Sequence, residues 1–166
     1  MKQNVINSIL SLAILFLCLQ CATKPPKATP TPGTTTNNNS TSKFTDDILD
    51  NVNQYRASKG LAALKLNDVI SAEAEKHSEN MATGRVAFGH DGFASRIQRI
   101  SSQLGPAKMS AENVALGELS AKQVVTNWIN SPAHRENMEG NFTLTGIGTA
   151  KNKSGVIYFT QIFIRN

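Results

Sequence analysis

The segment Val156–Ile164 constrains this chain more than any other, because it is apolar on both sides of a strand. With a period of two, Val156, Tyr158, Ile162 and Ile164 fall on one face and Ile157, Phe159 and Phe163 on the other. Such a strand must be covered on both faces. Leu144–Ala150 precedes it as a second strand, and Lys151-Asn152-Lys153-Ser154-Gly155 supplies the turn of a hairpin. A further strand is expected over Ala111–Leu116. The segments before the hairpin have helical spacing, so the expected fold is α+β: a three-layer α-β-α sandwich with the sheet between helical layers.

Four helices and a short fifth are legible. Asp46 and Asp47 open a stretch in which Ile48, Leu49, Val52 and Tyr55 recur at helical spacing, and Gly60 stops it. Asn67 reads as the N-cap of a second helix with Ile70, Ala74, His77 and Met81 on one stripe and Gly84 as terminator. A third runs through Phe93, Ile97 and Ile100. Ser120 caps a fourth carrying Val124, Val125, Trp128 and Ile129, after which Pro132 can occupy the first turn of another short helix.

The N-terminus has a different character. Lys2 is followed by the apolar run Ile9–Leu19, too short for the about 20 residues of a spanning helix but suited to a signal-peptide core. Both cysteines, Cys18 and Cys21, close this run, and none follows, so no disulfide can staple the domain. A cysteine between an apolar core and a polar segment resembles the acylation site of bacterial lipoproteins, and Cys21 is the expected lipidated residue. The Leu17-Cys18-Leu19-Gln20 that precedes it lacks the small residue usual at that site. Residues 21–43 are rich in Thr, Pro and Asn and read as a disordered tether. It would span about 25 Å as a coil and about 65 Å as polyproline helix. The expected organisation is a signal peptide over 1–20, a tether over 21–43 and one domain over 44–166. The protein is then exported and membrane-anchored, at the cell surface or in the periplasm.

With 166 residues the chain has room for a single domain. Its net charge of +5 invites a nucleic-acid reading, which position removes: from Phe44 onward 13 bases face all 12 acids. No basic patch with interleaved aromatics stands out, so nucleic acid is not an expected partner.

Three ionisable residues stand out by their settings: His90 in Phe88-Gly89-His90-Asp91, Glu112 in Ala111-Glu112-Asn113-Val114, and His134 in Ser131-Pro132-Ala133-His134-Arg135. Glu112 lies in an apolar strand and needs a buried partner, for which a histidine is the natural choice. Two imidazoles and a carboxylate meeting at one point would make a three-ligand Zn²⁺ site with an open position. No local motif such as H-E-x-x-H supports it. The plain readings of the neighbours are structural: His77 as a packed helix-face residue, Trp128 as a core anchor, Arg135 as a helix-surface residue, Lys151 and Lys153 as solvated turn charges. Ser131 serves to cap the turn before Pro132; without a G-x-S-x-G elbow it does not read as a nucleophile.

Several ordered segments resemble the CAP superfamily, the SCP-like domain shared by cysteine-rich secretory proteins, antigen 5 and pathogenesis-related 1 proteins, in a cysteine-free bacterial form. They are Val52-Asn53-Gln54-Tyr55-Arg56, Ala74 with His77-Ser78 and Met81-Ala82, His90 with Arg96, Ala111-Glu112-Asn113-Val114-Ala115, Trp128 through Asn137, Gly146-Ile147-Gly148 and Tyr158-Phe159-Thr160-Gln161-Ile162-Phe163. The resemblance implies an α-β-α sandwich with a cleft where histidines and acids meet, the pair here being His90 and His134 and the glutamate Glu112. Ala111 stands where the family's Gly-Glu-Asn motif has glycine. No acid lies between Glu118 and Glu136, so a second cleft glutamate is missing.

The function expected from these readings is a ligand-binding module with a His/Glu/His cleft that could hold a divalent ion such as Zn²⁺, facing an extracellular lipid, peptide or host molecule. The alternatives are a metal-dependent hydrolase or protease-like enzyme, and a structural or host-interaction surface protein without catalysis.

Overall fold

A computed structural model describes residues 38–166, with side chains from Thr41 onward. The signal peptide, Cys21 and most of the tether lie outside the described residues. The elements are α1 (Asn38–Ser58), β1 (Lys65–Leu66), α2 (Asp68–Ala82), α3 (Phe93–Leu104), β2 (Met109–Gly117), α4 (Ala121–Asn130), α5 (Pro132–Glu139), β3 (Leu144–Lys151) and β4 (Ile157–Arg165). Among the described residues no helix is long and apolar enough to cross a membrane.

The sheet has the order β1-β3-β4-β2. β4 is central and antiparallel to both neighbours, with Glu112 opposite Ile162 and Leu116 opposite Tyr158 on one side and Gly148 opposite Thr160 on the other. Its two-sided apolarity is resolved as the sequence requires. Phe159 and Phe163 enter a cluster with Ile48 and Val52 of α1 and Val124, Val125 and Trp128 of α4. Ile162 and Ile164 enter a smaller cluster with Ile70 and Ala74 of α2 and Ile100 of α3. The three expected layers are thus present.

Local signals explain most boundaries. The Asn67 side chain accepts from the amides of Val69 and Ile70, capping α2. Ser120 and Gln123 form a reciprocal capping box at α4. Gly60 takes a φ of 71°, a left-handed conformation that ends α1. Gly146 and Gly148 let α2 press onto β3: a Cβ at Gly146 would lie 2.2 Å from the Ser71 nitrogen, and one at Gly148 would lie 2.0 Å from that of Glu75.

Three details differ from expectation. α1 starts at Asn38 rather than near Asp46, taking in the end of the segment read as tether; Lys43 pairs with Asp47 one turn on, and the Thr45 hydroxyl bonds back to the Ser42 carbonyl. β1, two exposed residues parallel to β3, is too short to show a pattern. Ser131 occupies the N-cap position of α5 but its side chain accepts no capping bond.

Candidate functional site

Glu112 sits on β2, on the face of the sheet that α2 and α3 cover, and its side chain is only 2% exposed. Burying a carboxylate there is costly unless it is paired and hydrogen-bonded. The principal partner is Arg96 of α3, itself buried: Nε–H donates to Oε2 at 2.9 Å and Nη2–H to Oε1 at 2.7 Å, a bidentate fork. The rest of the guanidinium holds the preceding loop, with Nη1 donating to the Asp91 carbonyl at 2.8 Å and Nη2 to that of His90 at 3.4 Å.

His90 adds the third contact, its Nδ1 lying 2.9 Å from Glu112 Oε1. Against an ionised carboxylate that nitrogen carries the proton, which leaves Nε2 as a free acceptor on a ring that is 53% exposed. His77 of α2 completes the cluster from below. Its Nε2 donates to the Gly89 carbonyl at 2.9 Å and stands 4.0 Å from Glu112 Oε1. Burial lowers the His77 pKa against the opposing pull of that hydrogen bond.

His134 enters differently. It lies in the first turn of α5, and its carbonyl accepts from Asn113 Nδ2 at 3.1 Å. Asn137 then donates to Asn113 Oδ1 at 2.8 Å and to the Glu112 carbonyl at 3.2 Å, so α5 is laced to the outer edge of β2 through side-chain amides. The His134 pKa is lowered by burial and by the neighbouring His90. His90 and Glu112 are therefore in direct contact, while His134 is a neighbour joined to β2 through its backbone.

The chemistry of this donor set does not fit a divalent ion. Both Glu112 oxygens accept from a guanidinium, a permanent cation that a dication at either oxygen would have to face at close range or displace. Among the described residues no three His, Cys, Asp or Glu side chains are grouped as an ion would require. The sequence predicts a buried partner for Glu112 and a histidine in that role; His90 is one partner, and Arg96, which makes the bidentate contact, is the one the sequence reading missed. Arg96 was present in the same segment as His90; its place one helical turn into α3, facing an apolar strand that carries an acid, was the available signal.

The surroundings are partly apolar. Phe88 is 49% exposed and packs edge-on against Tyr158 with ring centroids 6.4 Å apart, and Leu116, opposite Tyr158 in register, is also exposed. The plainer expectations for nearby residues hold: Trp128 is buried and donates to the Val114 carbonyl at 3.5 Å, and Arg135 donates to the Ile129 carbonyl at 2.9 Å at the end of α4.

Residues 49–163 match the family model of the cysteine-rich secretory protein family, CAP. The chain belongs to that family. An uncharacterized Bacillus subtilis protein, YkwD, is 32% identical over 143 residues, which cover 84% of this chain and 54% of the relative. An uncharacterized membrane protein of the same organism, YlbC, is 29% identical over 71% of this chain and 33% of its own length. This CAP chain thus spans about half or less of the curated relatives it matches. An outer surface protein of Borrelia burgdorferi has the same fold, with a TM-score of 0.67, 21% identity and coverage of 76% of this chain and 95% of that one. An extracellular SCP-domain protein of Bacillus anthracis follows with a TM-score of 0.62, 24% identity and coverage of 84% and 45%.

Proposed function

We propose that the chain is an extracytoplasmic CAP-domain lipoprotein, anchored through Cys21, whose cleft binds a ligand without catalysing a reaction on it. The observation that carries the reading is the bidentate Arg96–Glu112 pair. A buried carboxylate whose two oxygens already meet a guanidinium fork and an imidazole is committed to partners within the fold rather than to a substrate. The remaining features suit recognition: His90 offers an acceptor nitrogen beside the exposed Phe88 and its Tyr158 neighbour. A molecule with a hydrogen-bond donor next to an apolar portion, such as a lipid or a hydrophobic peptide, matches that arrangement. The relatives' descriptions as outer surface and extracellular proteins support the location.

Two assays on one set of variants test this. In a thermal-shift screen of lipids and peptides, a true ligand should raise the melting temperature of wild type and lose most of that effect in Phe88→Ala/His90→Ala. An esterase and peptidase panel should show no turnover in wild type or Glu112→Gln. Turnover that Glu112→Gln abolishes would overturn the reading in favour of a hydrolase.

A further inference from the structure

Charge on the folded domain nearly balances, yet three cations are gathered in one place. Arg85, just beyond α2, and Lys151 and Lys153, at the β3–β4 turn, line a single cleft of about 620 Å³ together with Thr83, Asn152 and Ser154. None of the three forms an ion pair among the described residues, whereas Arg96 and Arg99 are both matched to glutamates. Asn152 Oδ1 accepts from the Ser154 and Val156 amides and the Asn152 backbone N–H donates to the Val156 carbonyl, so the donors it has to offer are the side-chain Nδ2–H groups. Two carboxylates are near: Glu79 lines the adjoining hollow with Arg85 and Lys151, and a Cβ at Gly155, in the same turn as the lysines, would lie 3.8 Å from Glu118 Oε1. Three exposed cations on one cleft outnumber the carboxylates beside it and make a local positive potential that favours an anion from outside.

The position of the cleft indicates the anion. Lys151 also lines a second hollow with Thr41 and Phe44, in the first turns of α1. The first turns of α1 therefore lie beside Lys151, at one side of the cationic cleft, and the segment leading there is the one that carries the expected anchor. We propose that Arg85, Lys151 and Lys153 form a docking surface for the anionic phosphate headgroups of a lipid bilayer, so that the domain settles with this end against the membrane. Proximity to the bilayer rests on the anchored reading; the charge recognition does not.

The test compares the full chain with Arg85→Gln/Lys151→Gln/Lys153→Gln and with a control of equal charge, Lys65→Gln/Lys76→Gln/Lys108→Gln, all exposed positions. Each is partitioned onto phosphatidylcholine vesicles with and without 30% phosphatidylglycerol. The N-terminal segment contributes equally to all three proteins, so the ratio of the two affinities isolates the domain. A cation near an anionic surface contributes roughly fivefold. The cleft variant should lose on the order of 30- to 100-fold of the wild-type preference for anionic vesicles, and the control less than about threefold. Equal losses in both variants, or no wild-type preference, would overturn the proposal. Release of the wild type from anionic vesicles by millimolar inorganic phosphate at constant ionic strength would also overturn it, by showing a site for free phosphate. Failure of acylation at Cys21 would leave this comparison intact.

Discussion

The two faces of the sheet are built on opposite principles. Toward α1 and α4 the sheet meets a large apolar cluster around Trp128, Phe159 and Phe163, extended by the Phe142 ring 5.6 Å from that of Phe163. Toward α2 and α3 the apolar cluster is small, and beside it lie Glu112, Arg96, His77 and the Ser78 hydroxyl, which donates to the Gly148 carbonyl at 3.0 Å and lies 2.8 Å from the Thr160 hydroxyl. The first face holds the fold together by burial. The second uses paired polar groups to fix the loop that presents Phe88 and His90, and buried polar pairs contribute more to geometry than to net stability.

Gly148→Ala puts a methyl 2.0 Å from α2 backbone, so helix and sheet must separate. Chemical denaturation should show a loss of about 4 kcal/mol or more. A loss below about 1 kcal/mol would mean that α2 is not seated as described. Trp128→Ala should cost about 3–5 kcal/mol by opening the larger core. Arg96→Met should cost about 3 kcal/mol, because it strands Glu112 with only two histidines beside it, His90 in contact and His77 4.0 Å away. Replacing both by Arg96→Met/Glu112→Leu should recover most of that loss while releasing the His90 loop, which faster hydrogen exchange at Gly89–Asp91 would reveal. If the double variant is no more stable than the single, the polar face is a source of stability and the contrast fails.

The smallest effect is a pH dependence. His77 and His134 both have folded pKa values below the ordinary histidine value of about 6.5, chiefly through burial. The unfolded chain then binds more protons at mildly acid pH, so stability is full above about 6.5, falls as pH drops below it and levels off beneath the folded values. Melting temperatures at pH 7.5 and 5 should show this drop, and His77→Gln should reduce it.

The apolar face was legible in the sequence because it depends on periodicity: β4, α4 and the buried stripe of α1 all follow from spacing and caps. The polar face was legible only in part. Glu112 in an apolar strand advertises a buried acid, but nothing in spacing tells which cation meets it across 16 residues, and His90 and Arg96 stand together in one family-like segment. Arg56 illustrates the same limit. It is 2% exposed and donates to the carbonyls of Ala62, Met138 and Gly140, tying α1 to the end of α5, yet in sequence it is an arginine at the end of an amphipathic helix. Two-residue β1 and the early start of α1 depend on tertiary pairing and on local polar bonds too short-ranged to leave a pattern.

The account rests on Glu112 being the counter-ion of Arg96, and crystals grown with zinc test that most directly. Anomalous scattering should show no ion among His90, Glu112 and His134, with the Arg96 guanidinium still forked on both carboxylate oxygens. An ordered zinc bound by Glu112 and either histidine, with Arg96 displaced, would contradict it.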